Sequence, residues 1–288
     1  MSERPTEPIT EPITGTAAGV PFTALPPAGS RHRPAPLIVT WHMMDAPCTD
    51  AAFAAALPMA GVPAWRVHLG MPLCGRRMLA GGMAAVLALS RQDTMLAYLE
   101  PMVRQAAGEL PAALAELRER LAPAPGPIGV VGGSLGGAVA LRVLARQEVP
   151  VAAAALVNPA IRARSVVELV EQASGRPYQW TAQSRAAAEH LDFVARAGDL
   201  ATRTPQSPLL VVSGELDFPG LRTDAAELVA ALRERYAEPE LVQPATVAGL
   251  AHPLAEYPGL EPAPQLPVAK AVDEALSAWF LRHLTRGL

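Results

Sequence analysis

Ser134 stands in Gly132-Gly133-Ser134-Leu135-Gly136, a G-x-S-x-G pattern that follows the apolar run IGVVGG and opens directly into the helical pattern LGGAVALRVLA. Strand, sharp turn at a serine, then helix is the arrangement that lifts a hydroxyl out of a sheet as a nucleophile. The turn is so tight that the residues two before and two after the serine must be small, which Gly132 and Gly136 satisfy. A helix starting at Leu135 adds N–H groups without intrahelical partners and the positive end of its dipole. Phosphate loops use similar glycine-rich turns, but they require G-x-x-x-x-G-K-[ST] or G-x-G-x-x-G. No lysine is present here, and Ser134 or Leu135 falls where the second glycine of the other pattern belongs. The chemistry implied is nucleophilic attack by Ser134, which needs a base for its proton and an acid to orient that base.

Six histidines compete for the role of base. His32 precedes the patterned part of the chain, His68 lies inside an apolar run, and His283 falls near the end of the last helical stripe. His190 sits in a helical stretch, His42 ends the first buried run, and His252 lies in the loop VAGLAHPLAEYPG. Pro253 biases His252 toward an extended backbone, which would help aim its ring.

The elements that must hold these residues alternate. Short apolar runs at GVPFTAL, PLIVTWH (36–42), AWRVHLG (64–70), IGVVGGS (128–134), VAAAALVNP (151–159) and PLLVVSG (208–214) are separated by helical patterns. GVPFTAL reads as an edge strand, and ELVQPATVA as a weaker strand interrupted by Pro244. TDAAFAAAL reads as a helix capped by Thr49 or Asp50. Another helix begins near Thr223, and a last one stripes Val268, Val272, Leu276 and Phe280 on one face. Near-continuous apolar strands between helices predict a doubly wound, mostly parallel α/β sheet covered on both faces. Ligands in such sheets bind beyond the carboxyl ends of the strands. Two connections, 71–127 and 160–206, are long, leave from that end, and contain helical stretches such as PAALAELRERL and SVVELVEQA. They are expected to form a cap over the site. Residues 1–18, with the duplication TEPITEPIT, are expected to form a loose Pro-rich arm ahead of a single domain over 19–288.

Composition narrows the function classes. The chain has 288 residues, 50% hydrophobic and 18% charged, enough for one large core. A formal net charge of −3 and a single lysine, Lys270, give no basic stripe, so no nucleic-acid partner is expected. Cys48 and Cys74 are too few for a disulfide framework; both follow strands, which leaves a single bond between them open, but two reduced thiols are expected. No apolar run of 18 residues escapes charge, proline or glycine, and MSERPTEPIT lacks the layout of a signal peptide. A soluble, cytoplasmic monomer or homodimer with no membrane partner is expected.

With the elbow and this strand–helix rhythm, the chain resembles the α/β-hydrolase superfamily from about residue 36 to 285. The resemblance implies the order nucleophile, acid, histidine. Asp217 in LLVVSGELDFPG then stands at the family's acid position, with Glu215 as a neighbour able to substitute. The family's alternative acid position, one strand earlier, holds Asn158, which has no carboxylate. His252 alone follows Asp217 in a loop after a strand, 35 residues on, and becomes the base. VTWHMMDAP (39–47) matches the family's oxyanion loop at His42, but Met43 replaces the usual glycine. The oxyanion donors implied are the N–H of Leu135 and that of Met44 or Met43, while His42 is more often structural in this family. Trp41, His42, Met71 and Met78, among other methionines after strands, are the candidate substrate-binding residues and favour an apolar acyl or alcohol group. Few basic residues adjoin these motifs; Arg76 and Arg77 could meet a substrate carboxylate, but they are not counted among the expected substrate residues. The function implied is a serine hydrolase cleaving a small-molecule carboxylic ester through an acyl-enzyme, with no metal or organic cofactor. Thioesterases, lactonases and peptidases share the same triad, and a non-catalytic binding protein on this fold is the alternative from another class.

Overall fold

The computed structural model describes residues 11–29 and 34–284. In chain order, β1 (Ile13–Ala17), β2 (Val20–Leu25), β3 (Leu37–Trp41), α1 (Asp50–Ala56), β4 (Trp65–Leu69), α2 (Gly82–Gln92) and α3 (Glu100–Leu121) lead to β5 (Ile128–Gly133) and α4 (Leu135–Arg146). Then come β6 (Val151–Val157), α5 (Ala163–Ser174), α6 (Ala182–His190), α7 (Ala197–Ala201), β7 (Leu209–Gly214), α8 (Pro219–Arg233), β8 (Val242–Val247) and α9 (Pro267–His283). The strands form one eight-stranded sheet in the order β1-β2-β4-β3-β5-β6-β7-β8. Strands β4 through β8 in that order are parallel, whereas β1 and β2 join antiparallel. The reversal of strand order at β3 puts the loops after β3 and β5 side by side at the carboxyl edge, where an open parallel sheet binds ligands.

Both faces of the sheet are covered, and the period of two shows in the packing. Along β3, Leu37, Val39 and Trp41 enter the core beneath α3 and α4, while Ile38 enters the opposite core with α1 and α9. Along β6, Ala154 and Leu156 face the first core, and Ala153, Ala155 and Val157 the second. Burial on both sides is what makes these strands continuously apolar in sequence. Thr49 caps α1, its Oγ1 accepting the Ala52 N–H at 3.1 Å.

Several expectations are corrected. The Pro-rich arm over 1–18 is not loose throughout: Ile13–Ala17 is β1, paired along its length with β2, so GVPFTAL is an inner strand and β1 the edge. Residues 1–10 and His32 lie outside the described residues. The helix placed at Thr223 starts at Pro219, whose missing N–H suits the first helical position. Pro111, which reads as a helix start, instead lies inside the 22-residue α3. That helix packs on α4 and the sheet, so much of 71–127 is a crossover helix covering the core and not a cap. The remainder meets 160–206 at a π-helical turn, Thr94–Leu99, where the Tyr178 hydroxyl donates to Asp93 at 2.5 Å. Cys48 and Cys74 are unpaired and buried, and burial pushes the Cys74 thiol up to about 12. No helix among the described residues is long and apolar enough to cross a membrane.

Candidate active site

The β5–α4 junction places Ser134 at φ 48°, ψ −119°, a region that costs a non-glycine residue about 1–3 kcal/mol and is held by its surroundings. Its N–H donates to the Val157 carbonyl at 3.0 Å, and its carbonyl accepts from Gly137 and Ala160 at 2.9 Å each. The two flanking glycines are sterically required. A Cβ on Gly132 would sit 2.1 Å from the Gly136 carbonyl oxygen, and one on Gly136 would sit 2.3 Å from the Trp41 carbonyl oxygen. Backbone cannot yield as a side chain does, so neither position accepts alanine. Ser134 is buried, with 9% of its surface accessible.

The loops after β7 and β8 bring the other two residues to it. The Ser134 hydroxyl lies 2.9 Å from His252 Nε2, and His252 Nδ1 lies 2.7 Å from Asp217 Oδ1. A carboxylate only accepts, so Nδ1 carries the ring proton and Nε2 is free to accept from Ser134. Asp217 Oδ1 also accepts the Phe218 N–H at 2.7 Å, which fixes the carboxylate. Glu215 points elsewhere: its carboxylate accepts the Gly249 N–H and braces the loop that carries the histidine.

Asn158, dismissed in sequence for want of a carboxylate, holds this assembly together. Fully buried, it donates from Nδ2 to the carbonyls of Ala251 and His252 at 2.8 and 3.0 Å, and its Oδ1 accepts the Gly214 N–H at 2.7 Å. One side chain thus ties the end of β6 to the end of β7 and to the His252 loop. The sequence signal was there, a polar residue closing an apolar strand, but nothing about its type announced it.

The β3 loop lies opposite. His42 is buried, its Nδ1 donating to the Met43 carbonyl at 2.6 Å and its Nε2 accepting the Met71 N–H at 2.9 Å. Burial pulls its pKa down to about 4, so the ring is neutral and serves to fix the loop. The N–H groups of Met43, Met44 and Leu135 donate to no protein acceptor among the described residues. The Met43 side chain is buried against Gly133 and Phe53, the space a glycine would leave vacant being filled from the second core.

The candidate substrate residues fare unevenly. Trp41 and Met71 are core side chains, 1% and 0% exposed, and His42 spends both ring nitrogens on backbone. None of the three presents a surface to a ligand. Met78 is half-buried, in the turn after Gly75–Arg77. Arg76 is committed to Asp50 and two carbonyls, and Arg77 to both oxygens of Glu109, so neither is free for a substrate carboxylate. The apolar gap beside the elbow, between Leu99, Leu135, Ala160, Ala163, Val166 and Leu191, has a volume of about 10 Å³, room for about one water.

No family model and no curated protein matches the sequence. Solved structures do match. The Thermus thermophilus protein TT1662 superposes with a TM-score of 0.62 at 19% identity, over 93% of this chain and 97% of its own. Dienelactone hydrolase from Anabaena variabilis gives 0.54 at 14% identity, over 94% and 98%. The chain has the α/β-hydrolase fold. Carboxyl esterase 2 of the fungus Tuber melanosporum gives 0.53 at 17% identity over 98% and 88%. A puromycin-hydrolyzing peptidase of Mycobacterium tuberculosis gives 0.64 at 17% identity, over 96% of this chain but 40% of the peptidase.

Proposed function

We propose that the chain is a serine hydrolase that cleaves small-molecule carboxylic esters with an apolar acyl group through an acyl-enzyme. The observation that carries the reading is the unbroken relay from Ser134 through His252 to Asp217, at 2.9 and 2.7 Å, with the N–H of Leu135, the next residue, donating to no protein acceptor among the described residues. Ser134 Oγ attacks the carbonyl carbon as its proton passes to His252 Nε2. Asp217 holds the tautomer and stabilises the imidazolium. The N–H groups of Leu135 and of Met44 or Met43 receive the oxyanion, a donor being worth about 3 kcal/mol in such sites. His252 returns the proton to the leaving oxygen, and water, deprotonated by the same nitrogen, releases the acid. Every step uses the chain's own groups.

One observation favours the ester: the likeness to the fungal carboxyl esterase extends over most of both chains. The likeness to the puromycin-hydrolyzing peptidase supports the second reading, a peptidase with the same triad. Turnover of p-nitrophenyl esters of increasing acyl length, beside a matched thioester and anilide, tests this. The expected order puts the esters first, with Ser134→Ala inactive on all of them. Faster turnover of the anilide would replace the esterase reading by the peptidase one.

A further inference from the structure

The triad histidine meets a second carboxylate that the mechanism above does not use. Asp45, in the β3 loop, places Oδ2 3.7 Å from His252 Nε2, the nitrogen that also bonds Ser134. Its Oδ1 accepts from the Tyr257 hydroxyl at 3.2 Å, which anchors the carboxylate and leaves Oδ2 to the reaction side. Burial, and then the Asp45 charge itself, raise the Tyr257 phenol and keep it a donor. Among the described residues Asp45 forms no ion pair with arginine or lysine, and 41% of its side chain is exposed. Arg76 and Arg77, the cations that follow β4, are spent on Asp50 and Glu109. The charge left to greet a substrate is therefore negative.

The surroundings are aromatic and apolar. Among the described residues, four of the seven exposed large hydrophobic side chains, Leu216, Phe218, Tyr257 and Leu260, belong to the loops that carry Asp217 and His252. The Phe218 ring lies 5.1 Å from the His252 ring, centroid to centroid. An anchored carboxylate bonded to one exposed aromatic residue, beside a histidine that packs against another, is a setting for a positively charged nitrogen.

We infer that Asp45, with Phe218 and Tyr257, selects esters whose leaving group carries a cationic nitrogen about two carbons from the scissile oxygen. The placement follows from Nε2: the leaving oxygen must come within hydrogen-bond distance of it to be protonated. Asp45 Oδ2 is 3.7 Å from that same atom, a span that an oxygen–carbon–carbon–nitrogen segment covers. The cation is bound and not altered, so no bond beyond the ester is made or broken. The inference rests on the hydrolase reading and names a substrate class for the same site.

The test compares butyrylcholine with its neutral isostere, 3,3-dimethylbutyl butyrate, on the full chain. Wild type is expected to favour the cationic ester by about ten- to a hundredfold in kcat/KM, with the preference shrinking as salt is added. In Asp45→Asn, whose amide oxygen still accepts from Tyr257, the ratio falls to within about threefold of unity, and Asp45→Glu restores part of it. Because the readout is a ratio, a general loss of activity cancels. A wild-type ratio near one, or the same ratio in wild type and Asp45→Asn, overturns the inference while leaving the hydrolase reading intact. A preference that appears only when the cation is moved to the acyl side overturns the leaving-group placement. If neither ester is cleaved and Ser134 also resists a fluorophosphonate, the hydrolase reading fails and takes this inference with it.

Discussion

Two histidines stand at the carboxyl edge of the same sheet, His42 after β3 and His252 after β8. Both are almost fully buried, and each has a partner on both ring nitrogens. They differ in what those partners are. His42 bonds only to backbone, a carbonyl on one side and an N–H on the other, so its proton has nowhere to go. His252 lies between a carboxylate and a hydroxyl, so a proton arriving at one nitrogen is balanced at the other. Burial alone says little about function. The chemistry of the two partners separates a brace from a base.

Substitutions sharpen that contrast, beginning with the largest effect. Ser134→Ala is expected to lower ester kcat by on the order of a million-fold. Asp217→Asn should cost about 10⁴ by favouring the wrong tautomer. Glu215→Gln, on the same loop, should cost far less in the same assay, because the Glu215 carboxylate meets only the Gly249 N–H. Asn158→Ala unties the His252 loop from β6 and β7. It should reduce kcat about tenfold to a hundredfold and stability by about 2–4 kcal/mol, read by steady-state kinetics and urea unfolding. His42→Asn should show the opposite balance. Stability falls by about 1–3 kcal/mol because the Met71 N–H loses its acceptor, while kcat changes less than about tenfold.

The pH dependence of stability adds a further test of the same contrast. Burial holds His42 at about 4, and burial, Arg66 and His42 hold His68 at about 3, both below the ordinary 6.5. In the intervening range the unfolded chain binds protons that the folded chain refuses. Stability is therefore full above pH 6.5 and declines as pH falls toward about 4 and then 3, by about 3 kcal/mol for His42 and about 5 kcal/mol for His68 once the pH is below both values. In urea unfolding across pH 7 to 4, His42→Asn should flatten the decline. An unchanged slope would mean that His42 is not the neutral brace described.

How much of this was written in the sequence varies by element. The central strands were legible because both faces of each are buried, which leaves no polar residue to break the run. The elbow was legible because only glycine fits at 132 and 136, where a Cβ would strike backbone. β1 was hidden because ITGTA is short, buries only Ala17 fully, and follows a proline-rich repeat. The length of α3 was hidden by Pro111, a residue that usually opens a helix. At the site, Asp217 and His252 follow from order along the chain once the serine is known. Asn158 and Asp45 do not, since each acts through a partner far away in sequence, His252 at a separation of 94 residues and Tyr257 at 212. The candidate pocket residues Trp41 and Met71 misled for a related reason. They follow or end strands as expected, but their side chains turn into the core beneath the loop.

The central claim is that the hydroxyl of Ser134, and no other, is activated. The most direct measurement is treatment of the folded protein with a fluorophosphonate, followed by intact mass and peptide mapping. The account predicts one adduct per chain, on the peptide containing Ser134, absent from Ser134→Ala and strongly slowed in His252→Ala. A folded wild-type protein that stays unlabelled, or an adduct that persists in Ser134→Ala, would contradict it.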